Sequence, residues 1–596
     1  MKLTKEQEKQ FAKLNINSYS ELALLIPSSY EDYRLHNTLI PHKAQLIDAT
    51  VESVYRSANA LQITLFVHNF GYAIQGVLFR PKPYMLHQFH VGDRDYYYGV
   101  IECKLGHCSM AMPKKVSSIG AITPKYKTLL RSDVMQRFIT NNLTCEHLMH
   151  EGIPKYIADA VLQLHFPTSD ALLLKHELPT QTLDALKYIE LFVYMKQLSQ
   201  KRRYFQASYS KKASYSEWER ELPFSLTQEQ KNAIEDIKTD FAKNVASKRM
   251  VVGDVGSGKT MVILASASMM YPNRSILMAP TTILAKQLFE EAQKYLLHVK
   301  SVLVTNRSKK EDLSGYDFII GTHALLYREL PHADLVMVDE QHRFGTAQRN
   351  LLEKLVSTGE TKPHFLQFSA TPIPRTQAMI ETAHIDVSLI TSTPYKKDIT
   401  SRVIRKENFQ ELLKHIKSEI AQNNQVLLVY PLVEESQILE YQSIDEARGY
   451  WEKRFENVYV THGKDKEKEE VLMEFREKGN ILIATTVVEV GISLPKLSTV
   501  VIVGAERLGL STLHQLRGRV SRTGLKGYCY LYTNQKSSER LSKFTHTTSG
   551  FDIANLDLKF RKSGDLLKGS NQSGNQFRWV DLSEDEAIVQ RVKEAL

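Results

Sequence analysis

Residues 249–270 read RMVVGDVGSGKTMVILASASMM. An apolar strand runs into Gly253-Asp254-Val255-Gly256-Ser257-Gly258-Lys259-Thr260, and a helix-forming run follows. The loop matches G-x-x-x-x-G-K-[ST], and strand before, helix after is the context in which that pattern cradles phosphates. Gly253, Gly256 and Gly258 let backbone N–H groups turn inward around phosphate oxygens, and the helix N-terminus adds the positive end of its dipole. Lys259 is placed to reach the outer phosphates and the Thr260 hydroxyl to reach Mg²⁺, so the chain is expected to bind a nucleoside triphosphate with that metal.

Downstream, the apolar run Leu335-Val336-Met337-Val338 ends in Asp339 and Glu340. Alone it would be a strand end with solvated acids. Beside the loop it supplies a magnesium-shell carboxylate, Asp339, and a carboxylate, Glu340, to orient and polarise the attacking water. The strand-like runs RMVVGD, SILMAP, DFIIGT, LVMVDE and HFLQFSAT alternate with helical ones, the rhythm of a doubly wound parallel sheet over residues 216–385. QVLLVYPLV, VYVTHG, NILIATTV, TVVIVGA and GYCYLYT repeat that rhythm over 386–535, and tandem α/β units suggest a site in the cleft between them.

The flanks read differently. Residues 1–45 are helical and mixed, with Leu14, Leu22, Leu25 and Ile26 as core candidates. Over 46–120, short alternating runs broken by glycines predict a small β-barrel of the OB type. Most of its aromatics are expected inside. Phe79 and Tyr84 bracket the turn RPKP, where Arg80 and Lys82 add charge beside rings that could stack on bases. Residues 121–215 form a helical linker ending near Lys201, Arg202 and Arg203, and 536–596 a helical C-terminal segment.

Composition limits the possibilities. A chain of 596 residues excludes a single small module, and 42% hydrophobic with 24% charged residues supports folded cores. A net charge of +10 favours an anionic partner such as nucleic acid. The charged start and the lack of any long apolar run predict a cytoplasmic protein without membrane contact. Cys103, Cys108, Cys145 and Cys529 are too few and scattered for a disulfide framework. Cys103 and Cys108, with His107 but no second Cys/His pair, are expected as thiols rather than zinc ligands.

Asp339-Glu340-Gln341-His342 resembles the DEx[HD] signature of superfamily 2 helicases, and the other motifs of that superfamily follow in order. LPFSLTQEQ offers Phe224, Thr227 and Gln230 as an adenine-contacting segment. APTTILAKQ and IGTHAL, the latter with Thr322, resemble strand-contacting motifs. Ser369-Ala370-Thr371 resembles the motif coupling hydrolysis to domain movement, and HQLRGRVSR places Gln515, Arg519 and Arg522 on the pattern Q-x-x-G-R-x-x-R. Guanidinium groups on the second domain would meet the γ-phosphate as the cleft closes. The extended forms DEQHRFG, FSATPIPRT, YPLVEES and LHQLRGRVSR look like the RecG family of DNA branch-migration translocases.

That resemblance implies two RecA-like motor domains, an OB-type wedge and a helical C-terminal hairpin with Arg561 and Gln572 as its polar residues. It implies ATP-driven movement on branched DNA, forks and four-way junctions, and the chain is expected to be a monomer. The chain departs from the family at Ser493, where an acidic residue is usual, at Ser521, where glycine is usual, and at Asn571, where arginine precedes Gln-Ser-Gly. None is a phosphate or magnesium ligand, so they bear on coupling rather than hydrolysis. The rival readings are an ATP-driven remodeller of a protein complex on DNA, and a DNA-binding scaffold whose motor is decoupled.

Overall fold

Four-residue strands whose residues are all buried, such as Ser275–Met278 and Leu335–Val338, are what a parallel sheet covered on both faces requires. The computed structural model describes residues 5–40, 42–57, 59–104, 107–117, 119–168, 178–357, 360–370, 373–395, 398–431, 441, 443–463, 465, 467–486, 494–521, 524–568 and 577–596. Thr371, Ser493, Arg522, Asn571 and Gln572 lie outside them, as do the side chains of Tyr84 and Arg561.

The chain divides into two compact units. One is Met1–Tyr194 with Phe577–Val580 and Glu594–Leu596; the other is Met195–Gln576 with Asp581–Lys593. In the first, β1 (Ala44–Arg56), β2 (Ala60–Val67), β3 (Tyr72–Phe79), β4 (Arg94–Lys104) and β5 (His107–Ala111) pair in the order β1-β2-β3-β5-β4, and β4 pairs back onto β1. This closed five-strand barrel is the expected OB-type domain. Ile47, Leu65, Ile74, Tyr97 and Met110 fill it from alternate positions. A short strand, β6 (Lys114–Val116), extends β4.

Two expectations fail here. Cys103 and Cys108 face each other across the antiparallel pair β4–β5 with Cα atoms 4.0 Å apart, and they form a disulfide instead of remaining thiols. The helical linker and the C-terminal segment are also each divided between the units. The reason is visible at Glu190, whose carboxylate accepts the backbone N–H groups of Arg578 (2.5 Å), Trp579 (2.8 Å) and Val580 (3.1 Å), tying the returning chain to the helix Thr180–Gln200.

In the second unit, β7 (Lys248–Gly253), β8 (Ser275–Met278), β9 (Ser301–Val304), β10 (Phe318–Gly321), β11 (Leu335–Val338), β12 (His364–Ser369) and β13 (Asp386–Ile390) form a wholly parallel sheet in the order β9-β10-β8-β11-β12-β7-β13. The strand β13 lies beyond the boundary drawn at 385, because it pairs with β7 of the first motor. The second sheet is also parallel: β14 (Ile399–Ile404), β15 (Gln425–Val429), β16 (Val458–Thr461), β17 (Ile481–Ala484), β18 (Leu497–Val503) and β19 (Gly527–Tyr532), in the order β14-β19-β18-β15-β17-β16. These are two RecA-like motor domains. Among the described residues no helix is long and apolar enough to cross a membrane.

Candidate active site

The phosphate loop joins β7 to helix α2 (Lys259–Met270). Gly256 and Gly258 both stand at φ 78°, in the left-handed region glycine enters without penalty. A Cβ on Gly258 would fall 2.2 Å from Nε2 of Gln230, and one on Gly253 would fall 2.4 Å from the Ser257 hydroxyl, so a side chain at either would displace those groups. Lys259 folds its ammonium back over the loop, donating to the carbonyls of Gly253 (2.8 Å) and Asp254 (3.1 Å).

Gln230 sits in the first turn of helix α1 (Gln228–Phe241) and is buried. Its Oε1 accepts the Thr227 N–H (2.8 Å) and its Nε2 donates to the Ser257 carbonyl (2.8 Å), so the amide joins helix cap to loop. Its position therefore fixes the loop, a role the adenine expectation did not contain. Phe224 is 37% exposed and packs edge-on against Tyr295 at 5.8 Å. With Glu219, Arg220 and Leu222 it lines an open cleft of about 430 Å³.

At the end of β11, Asp339 is buried, and burial, reinforced by the neighbouring Glu340 charge, raises its carboxyl pKa despite the opposing Lys259. Glu340 adopts φ 49°, a left-handed conformation that strains a residue with a Cβ. Its Oε2 accepts the Ala370 N–H at 3.0 Å, just past β12, so the acid strand and the Ser369-Ala370 segment are directly bonded. His342 Nδ1 stands 3.6 Å from the same oxygen, and burial lowers its pKa, which favours the neutral ring.

The Thr260 hydroxyl and the Asp339 carboxylate are hard oxygen donors of the kind Mg²⁺ takes, and a cation would relieve the buried Asp339 beside Glu340. No group of three or more His, Cys, Asp or Glu side chains in metal-holding proximity occurs among the described residues, so the nucleotide itself would supply further ligands.

Across the cleft, helix α3 (Leu510–Arg517) and the following turn carry Gln515 and Arg519, both buried. This segment packs on the phosphate loop: a Cβ on Gly518 would lie 2.7 Å from Cγ1 of Val255, and His514 Nε2 lies 2.5 Å from Asp254 Oδ1. The loop thus touches an arginine-bearing segment of the opposite domain, and its Lys259 is near enough to Asp339 to oppose the rise of that carboxyl's pKa. Ser521, at the position expected to be glycine, is buried with φ 63°. Ser521→Gly is expected to stabilise the chain by about 1 kcal/mol, read as a higher midpoint of urea unfolding, whereas Ser521→Ala should give no gain.

The residues expected at DNA divide. Thr322 is 2% exposed and its hydroxyl accepts the Ala324 N–H (3.3 Å), capping a short 3₁₀ turn, so it does not present the surface contact expected of it. Phe79 is 59% exposed at the end of β3, beside the tip of the β1–β2 hairpin, where the Arg80 N–H donates to the Asn59 carbonyl (2.8 Å). Tyr55, 67% exposed, is a second free ring in this domain that the sequence reading missed. Its outward position follows from a break in strand register between Val51 and Ser53, which no composition signal announces.

Residues 227–380 match the DEAD/DEAH box helicase family and residues 407–524 the helicase conserved C-terminal domain. The chain is 43% identical to an ATP-dependent DNA helicase RecG of Helicobacter pylori, covering 98% of this chain and 96% of that one. It is 32% identical to that of Aquifex aeolicus, covering 98% and 82%. Among solved structures, RecG bound to a three-way DNA junction matches with a TM-score of 0.56 and 26% identity, over 99% of this chain and 83% of that one.

Proposed function

The chain belongs to the RecG family of ATP-dependent DNA helicases, and from that premise we propose that it uses ATP to move on duplex DNA and remodel stalled forks and junctions in recombination and repair. The observation that carries the reading is that the phosphate loop of the first motor packs on the His514–Arg519 segment of the second within one unit, through Asp254 and His514.

The roles follow from that placement. Backbone amides of the loop bind the phosphates, with Lys259 turning from its carbonyl partners to the outer ones. Glu340 takes the proton of the attacking water while its bond to Ala370 reports the event to the neighbouring strand end. Arg519, with Arg522, meets the developing phosphate charge from the other domain. Thr260 and Asp339 would hold Mg²⁺, which neutralises phosphate charge when bound. Phe224 is assigned to the adenine, with Gln230 and Gln515 shaping its surroundings. We assign Phe79 to base stacking at the branch point, with Tyr84, Arg561 and Gln572 as further DNA contacts, and take the working form to be a cytoplasmic monomer.

The deciding experiment follows ATP hydrolysis with no nucleic acid, single strands, linear duplex, a model fork and a four-way junction, alongside conversion of the fork. Forks and junctions should stimulate most and their arms should exchange. Equal stimulation by every duplex without strand displacement would refute the branch-migration reading. Within it, Phe79→Ala should weaken junction binding by about 1 to 3 kcal/mol per lost stack and leave linear duplex binding unchanged. An equal loss on both DNAs in a titration at fixed salt would remove Phe79 from the branch point.

A further inference from the structure

The phosphate-loop pattern leaves its second position unspecified, yet Asp254 there is a junction of three elements. Its side chain is buried. Oδ1 accepts the Val255 N–H (2.6 Å) and faces His514 Nε2 at 2.5 Å, while Oδ2 accepts the Gly550 N–H (3.0 Å) at the start of helix α4 (Gly550–Lys568). His514 Nδ1 in turn stands 3.0 Å from Arg517 Nη2. A carboxylate only accepts and a guanidinium only donates, so the imidazole between them is neutral with its proton on Nε2.

The relay continues. Arg517 Nη1 donates to the Phe544 carbonyl (3.1 Å), Nη2 to that of Thr548 (3.4 Å), and the guanidinium lies 4.3 Å from the Phe544 ring. Both routes out of Asp254 therefore end on residues 544–550, which lead into α4. A separate bond, from the Leu510 N–H to Asp557 Oδ1 (3.3 Å), fastens α4 to the start of α3. The packing at the junction has no slack: a Cβ on Gly550 would lie 2.7 Å from Asp254 Oδ1 and 2.9 Å from His514 Nε2.

We propose that Asp254 is a positioning residue that transmits the nucleotide state of the phosphate loop to helix α4, directly through Gly550 and indirectly through His514 and Arg517. The driving change is local. Lys259 now braces the carbonyls of Gly253 and Asp254, and when it turns to the phosphates it releases the backbone that carries this carboxylate. A buried carboxylate cannot leave its donors unpaired at low cost, so α4 and α3 must follow it. The proposal rests on the reading of the chain as an ATP-driven DNA motor.

The test uses the full chain and two variants. Gly550→Ala places a methyl group against the Asp254 carboxylate, and Gly550 itself is not assigned to nucleotide binding. It should keep DNA-free turnover and KM for ATP within about twofold, while forks converted per ATP hydrolysed fall about tenfold or more, the scale of one buried hydrogen bond to a charged group. Asp254→Asn keeps the shape without the charge. In it, amide hydrogen exchange over residues 544–551 should no longer respond to a non-hydrolysable ATP analogue, as it does in the unaltered chain. Unchanged forks per ATP in Gly550→Ala, or an intact exchange response in Asp254→Asn, would overturn the proposal. If the unaltered chain converts no fork, the motor reading falls instead, and the exchange measurement alone decides the role of Asp254.

Discussion

Lys259→Ala is expected to reduce ATP turnover by about 10³-fold or more at saturating fork DNA, with fork binding within about twofold of the unaltered chain. A single neutral donor aimed at developing charge is worth about 10² to 10³ in rate, and Lys259 brings a full positive charge to the transferring phosphoryl group. The 256–258 turn of the loop should survive the change, while the backbone of Gly253 and Asp254 loses its brace. The shape of the turn is held by the Gln230 bond to Ser257 and by the glycine conformations at 256 and 258, not by the lysine alone. The two carbonyls that Lys259 now braces would take water instead, at a cost of about 1 kcal/mol. Steady-state hydrolysis and fork binding by fluorescence anisotropy, at one salt concentration, separate the effects. Turnover within tenfold of the unaltered chain would sink the site assignment. A parallel loss of DNA binding would mean that the variant had lost its fold, which the urea midpoint checks independently.

What the sequence revealed and what it hid divide along contact distance. The phosphate loop, the acid pair and the parallel-sheet rhythm were legible because each is a contiguous run whose meaning is local: a glycine at 258, a strand ending at Asp339, a helix behind Thr260. The partners were not. Asp254 and His514 are separated by 260 residues, and the second loop position has no required identity in the motif. Short edge strands escaped as well, since Ser301–Val304 and Ile399–Ile404 are paired on one side only and are less completely buried than the central runs.

Thr322 shows the converse. Its motif suggested contact with a strand, but a threonine before a turn also satisfies orphan backbone donors, and that capping role buries it. Ser521 was noted as a departure from glycine, and only its φ of 63° says what the departure costs. The capping role of Gln230 is legible in the sequence and its role as the bolt between α1 and the loop is not, because a capping box is local whereas its second bond crosses 27 residues.

Glu340→Gln is expected to lower turnover by about 10² to 10⁴ while leaving ATP affinity unchanged, because it removes the proton acceptor and little else. The geometry makes this substitution cleaner than alanine. A glutamine side-chain oxygen can still accept the Ala370 N–H that now bonds Oε2, so the link between the acid strand and the Ser369-Ala370 segment persists. In Glu340→Ala that link is cut as well, and a half-buried N–H loses its acceptor, for a further loss of about 1 kcal/mol in stability. Single-turnover hydrolysis and equilibrium binding of a fluorescent ATP analogue distinguish the cases. Glutamine should give slow chemistry with normal binding, and alanine slow chemistry with a lower unfolding midpoint. Turnover of Glu340→Gln within about threefold of the unaltered chain would shift the base role elsewhere. The candidate beside it is His342, whose Nδ1 lies 3.6 Å from Oε2 and whose burial favours the neutral ring that a base requires. Glu340→Gln combined with His342→Ala would then show the loss that the single change had not.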